Sequence, residues 1–201
     1  MSVNLDELKR AAESGGLDAW YKYGYALSEA YRDDDAEMWL NKAADGGHTN
    51  ACLELMALYM STGRAQKAED MLGSFIASYD EPLAKVGLGV IRYRRLEDFD
   101  SIRMIESGVR GCEEKKQNIF QNLKQMAIGI FCSDLKNPQG KYDEDTVRWL
   151  AMGIKLLEGF DFAKIKARNP QEAEMWEDLL KTSRDKLHAL TEAGNITRSI
   201  T

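Results

Sequence analysis

The chain contains little proline and little histidine, and it has no long apolar run. Only three prolines occur in 201 residues, which favours long helices over β-sandwich or barrel folds. The two histidines, His48 and His188, have no metal-ligand spacing around them, so we expect solvated side chains. No apolar stretch approaches the ~18 residues that a membrane helix needs. We therefore expect no membrane partner.

Cysteine is also scarce. Cys52, Cys112 and Cys132 are widely spaced and form no C-x-x-C pair. An odd number of isolated cysteines favours buried free thiols in a reducing compartment. The N-terminal segment is polar and acidic, unlike a secretory signal. These features together predict a cytoplasmic protein.

The charge balance is acidic, with a formal net charge of −6. A nucleic-acid binder needs a basic face to neutralise phosphates, so we expect no nucleic-acid partner. The local basic strip at Arg92, Arg94 and Arg95 favours the C-terminal end of a helix. The acidic run Asp33-Asp34-Asp35 favours a helix start. The alternative, a calcium site, lacks the remaining ligands of an EF-hand loop.

No motif for catalysis or cofactor binding is present. Gly87-Leu88-Gly89 lacks the third glycine and the preceding strand of a nucleotide fingerprint. None of the 33 carboxylates stands out as part of an acid–base pair. We expect no catalytic residue, no metal and no cofactor.

What the sequence does contain is an internal repeat. Residues of one helical pattern recur 32 positions later: Leu8, Ala11, Ala12, Gly15 and Ala19 match Leu40, Ala43, Ala44, Gly47 and Ala51. A fixed period of about 20–50 residues is typical of stacked helical repeats. A second marker, an apolar residue followed by glycine, recurs at Gly24, Gly89 and Gly129. Glycine inside a helix costs about 1 kcal/mol against alanine, so we expect these helices to pack too closely for a Cβ.

These residues resemble the Sel-one-like repeat family, a relative of the tetratricopeptide repeat. The first half of the motif matches Ala19, Tyr23 and Gly24, and the second half matches Ala36, Trp39, Leu40, Ala43, Ala44 and Gly47. The resemblance implies a right-handed superhelix of antiparallel helix pairs that binds other macromolecules, and it implies no catalytic residue. One departure is the turn between the paired helices, where the family has glycines and this chain has residues 28–34, S-E-A-Y-R-D-D.

The predicted organisation is one all-α solenoid domain over residues 1–201. The repeats are clearest over 4–95 and degenerate over 96–162, with an inserted loop at 133–142. A closing helix follows at 170–190, and a polar tail occupies 191–201. Predicted helices cover 4–14, 18–30, 35–45, 49–61, 64–78, 82–95, 99–111, 115–132, 143–159 and 170–190. The last helix carries a narrow apolar stripe, which favours a capping helix over the alternative, a dimer seam.

The favoured function is a non-enzymatic scaffold or adaptor that binds a protein or peptide on its concave face. In the family that the chain resembles, the first helix of each pair lines that face. Candidate partner-binding residues on such helices are Trp20, Tyr21, Tyr25, Glu54, Arg92 and Gln125. Trp20 has an equal alternative, which is to pack on the N-terminal helix at Leu5 and Leu8. The alternative function is an enzyme, or a regulatory subunit of one, with a site in residues 99–162.

Overall fold

The protein was analysed in a computed structural model that describes residues 4–136 and 140–192. These residues form eleven α-helices and no strand, so the predicted all-α class is confirmed. The chain folds as two compact units, residues 1–119 and 120–201, and each is described by itself. The prediction of one domain over 1–201 stays a prediction. The polar tail beyond residue 192 and part of the predicted loop, 137–139, lie outside the described residues.

The first unit contains seven helices. They are α1 (Leu5–Ser14), α2 (Leu17–Glu29), α3 (Asp33–Asp45), α4 (Thr49–Ser61), α5 (Ala65–Tyr79), α6 (Pro82–Leu96) and α7 (Phe99–Glu114). The second unit contains α8 (Gln121–Phe131), α9 (Glu144–Glu158), α10 (Phe162–Arg168) and α11 (Pro170–Glu192).

Helix starts are determined by capping side chains where the sequence supplies them. The Asn4 side chain accepts hydrogen bonds from the backbone N–H groups of Asp6 and Glu7. Asp98 accepts from Ser101 at the start of α7. Each cap satisfies N–H groups that the first helical turn leaves without an intrahelical partner.

Packing in the first unit follows the repeat. Each helix contacts the next one along the chain, and in addition α2 contacts α4 and α4 contacts α6. The first helices of successive pairs are therefore neighbours. The core between them uses small residues where helices cross and large ones beside them, among them Ala36, Leu40, Ala51, Leu55 and Leu72, all fully buried.

Two of the three marker glycines occupy close helix crossings. A Cβ at Gly24 would lie 2.8 Å from Leu40 Cγ, and one at Gly89 would lie 2.8 Å from the Ser101 carbonyl oxygen. The prediction for Gly129 is wrong, because no atom of another described helix or loop lies within 4 Å of the place where its Cβ would be. In the second unit a close helix contact occurs at Gly153 of α9, which lies against Phe131, the last residue of α8, and against the following Cys132.

The turn that departs from the family pattern is closed by a left-handed residue. Tyr31 has φ +58°, and the following N–H, of Arg32, donates to the Leu27 carbonyl. Gly63, 32 residues further on, has φ +73° and the same arrangement, with Arg64 N–H donating to Tyr59. A glycine adopts this conformation without strain, so Tyr31 occupies a position that the next repeat gives to glycine.

Two helix predictions differ from the structure. The helix predicted over 115–132 begins at Gln121, because Lys116 has φ +51° and the Gln117 N–H closes the end of α7 by donating to Cys112. The short helix Phe162–Arg168 was not predicted. It has only seven residues, none of them buried, and is shorter than the window over which apolar periodicity indicates a helix.

In the second unit, α11 contacts α9 and α10. Its predicted stripe faces this packing, with Ala173, Trp176 and Ser183 buried. Whether α11 closes a solenoid or forms a dimer seam stays a prediction.

Candidate functional site on helices α2 and α4

Four side chains form a cluster on the neighbouring helices α2 and α4, and we call it the tyrosine–carboxylate face. Tyr21, Tyr25 and Glu29 are spaced four residues apart on α2, which places them on one side of the helix. Glu54 of α4 completes the face. The helices α2 and α4 are in contact, and the pKa of Tyr21 is raised by burial and then by the nearby charge of Glu54. Tyr21, Tyr25 and Glu54 were predicted as site residues, and Glu29 was not.

The two rings are close but not stacked. Their centroids are 6.1 Å apart with an interplanar angle of 39°. Tyr25 is 40% exposed, although it lies in the middle of a helix that contributes to the core. The first of the two rings, Tyr21, is half-buried. The face therefore presents one half-buried ring, Tyr21, and one exposed ring, Tyr25.

Tyr21 is held by the turn that precedes α4. Its ring stacks on His48, with centroids 4.5 Å apart. His48 is the N-cap of α4, where Nδ1 accepts a hydrogen bond from Ala51 N–H at 3.2 Å, and its Nε2 lies 3.2 Å from Asp18 Oδ1. The prediction of a solvated His48 is wrong, since its side chain is only 14% exposed. The position of His48 directly before a predicted helix start could have indicated an N-cap role, although histidine is not among the common capping residues.

The face is electronegative. Burial, followed by the nearby charge of Glu29, raises the pKa of the Glu54 carboxyl. The negative charge of Glu29 is also the main reason why the pKa of Tyr25 is raised, with burial and Glu54 contributing less. Among residues 4–136 and 140–192, neither Glu29 nor Glu54 forms an ion pair. Each group therefore lacks a compensating cation.

Trp20 has a different environment. Its indole Nε1 donates to the Ala12 carbonyl at 3.0 Å, and the ammonium of Lys42 lies 4.3 Å from its ring centroid. It packs against the core of the first unit, as Leu5 and Leu8 of α1 also do. These contacts favour the second of the two alternatives for Trp20, packing on the N-terminal helix.

Arg92 and Gln125 are engaged elsewhere. The Arg92 Nε lies 3.4 Å from Glu69 Oε2, and the Arg95 guanidinium lies 3.0 Å from the same oxygen. Glu69 is only 4% exposed, so the two arginines compensate a buried charge. Gln125 belongs to the second unit, where its Nε2 donates to Glu172 Oε1 at 3.1 Å.

A second polar cluster, which the sequence did not reveal, links α3, α4 and α5. Glu37 accepts from Arg64 at 2.6 Å, from Lys67 at 2.5 Å and from the Tyr59 hydroxyl at 3.1 Å. Both cations also lie within 5 Å of the buried Tyr59 ring centroid, at 4.8 and 4.7 Å. The one carboxylate of the cluster is held by two cations and a hydroxyl, so we assign the cluster a structural role.

A groove in the second unit extends from α9 to α11. It has a volume of about 500 Å³ and is lined by Ala151, Ile154, Glu158, Arg184, Leu187, His188 and Thr191. The Arg184 guanidinium and the Glu158 carboxylate pair across it at 2.6 Å.

Within the described ranges, no group of three or more histidine, cysteine or acidic side chains is placed to hold a metal ion. Over the same residues, every helix is too short or too polar to cross a bilayer. All three cysteines have free thiols, with Cys52 and Cys112 buried as predicted.

Comparison of the chain with known protein-family models finds no match. Comparison with curated proteins finds no match either.

Proposed function

We propose that this chain is a non-enzymatic helical-repeat protein that binds a segment of another protein on the tyrosine–carboxylate face. We further propose that its helix pairs stack in a right-handed superhelix, as the resemblance to Sel-one-like repeats implies. The observation that carries the proposal is the position of Tyr21, Tyr25 and Glu54. They come from the first helices of two successive pairs, the helices that line the binding surface in such repeats.

The physical case rests on preorganisation. The α2 and α4 backbones are held by a continuous core that includes Tyr23, Leu27 and Leu55. Tyr21 is fixed by its stacking on His48. A partner that docks here orders little of this chain, so most of the entropy cost of binding falls on the partner.

Tyr25 is the residue best suited to anchor a partner. Tyrosine, tryptophan and arginine dominate the small set of interface residues that contribute most to affinity. The Tyr25 ring is accessible, while the neighbouring aromatic side chains Tyr23 and Trp20 are buried or hydrogen-bonded within the unit. Truncating Tyr25 therefore removes contact area from the surface without opening a cavity in the core.

The test is affinity capture from the source cell with quantitative mass spectrometry, using the wild-type chain, Tyr25→Ala and Asp178→Ala. Asp178 is exposed on α11 and serves as the control. The proposal predicts a protein that both wild type and Asp178→Ala recover and that Tyr25→Ala loses, with equal melting temperatures for all three chains. Equal recovery by Tyr25→Ala would refute the proposed location of the binding face.

A further inference from the structure

The carboxylates of the first unit differ in whether a cation of the chain pairs with them. Three that are largely shielded from solvent are paired: Glu37 with Arg64 and Lys67, Glu69 with Arg92 and Arg95, and Glu106 with Arg110. Glu54 is half-buried beside Glu29, and neither belongs to an ion pair of the described part of the chain. Burying a carboxylate without a counter-charge is unfavourable.

Three aromatic rings of the first unit already have a cation of the chain over them, those of Trp20, Trp39 and Tyr59. Tyr21 and Tyr25 have no such cation among the described residues, although Lys22 is exposed on the same helix. Their rings and the two carboxylates instead face the same surface without a positive charge between them.

We propose that this face receives a positively charged side chain, a lysine or an arginine, from a basic segment of the protein partner. The cation lies against the Tyr25 ring and is neutralised by Glu54 and Glu29. A single side chain can interact favourably with both the ring face and the carboxylates only if it is cationic, because a ring face and a carboxylate both repel an anion. The inference rests on the proposed function for the location of the binding face and adds the chemistry of the partner.

A set of short peptides tests this chemistry directly. The probes are N-acetylated, C-amidated Gly-Ser-X-Ser-Gly peptides in which X is lysine, arginine, norleucine or glutamate. They are titrated into the full chain, labelled with ¹³C in its tyrosine rings, at low ionic strength because salt screens surface charges. The Tyr25→Phe variant identifies the Tyr25 signals and retains an aromatic ring face.

The expected result is that the lysine and arginine peptides shift the Tyr21 and Tyr25 signals, while the norleucine and glutamate peptides do not. Comparing lysine with arginine identifies which cation the face prefers. Tyr25→Phe retains binding of the preferred peptide and Tyr25→Ala loses it.

Glu54→Gln is the decisive variant, and Glu13→Gln is its matched control. Each substitution removes one negative charge, but Glu13 is exposed on α1, where it lies 3.9 Å from Lys9. Glu54→Gln should weaken the affinity for the basic peptide by about fivefold or more, in line with the loss of a partly desolvated ion pair. Glu13→Gln should change that affinity by less than about twofold. Circular dichroism of both variants verifies that they remain folded.

Three outcomes would overturn the inference. They are no shift with either basic peptide, an equal shift with norleucine, or equal weakening by Glu13→Gln and Glu54→Gln. The last outcome would show that the basic peptide responds to the overall negative charge of the chain and not to this face. If any of these occurs while Tyr25→Ala still loses the captured partner, the proposed binding face stands and only its preference for a cation fails.

Discussion

Replacing Gly89 with alanine should destabilise the first unit, although alanine is the better helix former. A Cβ at Gly89 would lie 2.6 Å from Ile105 Cγ1, 2.8 Å from the Ser101 carbonyl oxygen and 2.9 Å from the Ile105 backbone nitrogen. Two of these three atoms belong to the α7 backbone, which cannot rotate away as a side chain can. The helices α6 and α7 must therefore separate to accommodate the methyl group.

The magnitude follows from two opposing effects. Alanine stabilises a helix interior by about 1 kcal/mol relative to glycine. Inserting a methyl group into a well-packed contact costs about 1–3 kcal/mol, and the backbone neighbours place Gly89 in the upper part of that range. The net expectation is a loss of about 1–2 kcal/mol in the free energy of unfolding.

Gly73→Ala is the matched control. Gly73 lies inside α5 of the same unit, and no neighbouring helix or loop of the described residues comes within 4 Å of the place where its Cβ would be. This variant should gain about 1 kcal/mol. Urea unfolding followed by far-UV circular dichroism measures both, and the two substitutions should shift the midpoint in opposite directions. A Gly89→Ala chain as stable as the wild type or more so would refute the close crossing of α6 and α7.

Three other predictions concern separate parts of the first unit. Tyr31→Gly should raise the free energy of unfolding by about 1 kcal/mol in the same assay, since Tyr31 has φ +58° and is 92% exposed; a loss of stability would show that the ring makes a stabilising contact. Glu37→Gln should cost about 1–3 kcal/mol at pH 7. Burial raises the pKa of Glu37, but its hydrogen bonds to two cations and a tyrosine outweigh burial and lower the pKa from 4.5. The stability that Glu37 contributes is therefore present above pH 4.5 and is lost as the pH falls through the lower folded-state pKa. Unfolding curves from pH 7 to 3 should show the stabilities of the variant and the wild type converging, and a constant difference would contradict the charge-based account. Burial raises the pKa of Cys52 to about 12 and that of Cys112 to about 11, so neither thiol should react with Ellman's reagent at pH 8 until the chain unfolds, and fast labelling of either in the native chain would show that its burial is wrong.

Much of the helical architecture could be predicted because its causes are local in sequence. The 32-residue period and the apolar spacing of three and four indicated the helix pairs, and the bounds of Thr49–Ser61 agree with the structure. The cap at Asn4 and the proline at the start of α6 follow from similarly local rules. The break near Lys116 could not be predicted in this way, because nothing about a lysine in the sequence indicates a backbone φ of +51°.

The tyrosine–carboxylate face was predicted only in part. The spacing of Tyr21 and Tyr25 on a first-of-pair helix was visible in the sequence, and Glu29 could have been found from the same four-residue spacing. What spacing cannot provide is the set of partners across helices. The stacking of Tyr21 on His48, the hydrogen bond of Trp20 to Ala12 and the pairing of Arg92 with Glu69 depend on the packing of residues that are 8 to 27 positions apart.

The glycine pattern shows the same limit. Gly24 and Gly89 lie at close helix crossings, but Gly129 has open space beside it. A glycine after an apolar residue indicates that a close approach is possible. Only the neighbouring helix determines whether that approach occurs.

The most direct test of the central claim is a calorimetric titration of the captured partner into wild-type and Tyr25→Ala chains, together with the thermal unfolding of each. If Tyr25 anchors the partner on the tyrosine–carboxylate face, the variant should bind more weakly by about 2 kcal/mol or more, with a melting temperature equal to that of the wild type. A Tyr25→Ala chain that melts earlier but binds with unchanged affinity would contradict the account, because it would place Tyr25 in the core and leave the face without a partner.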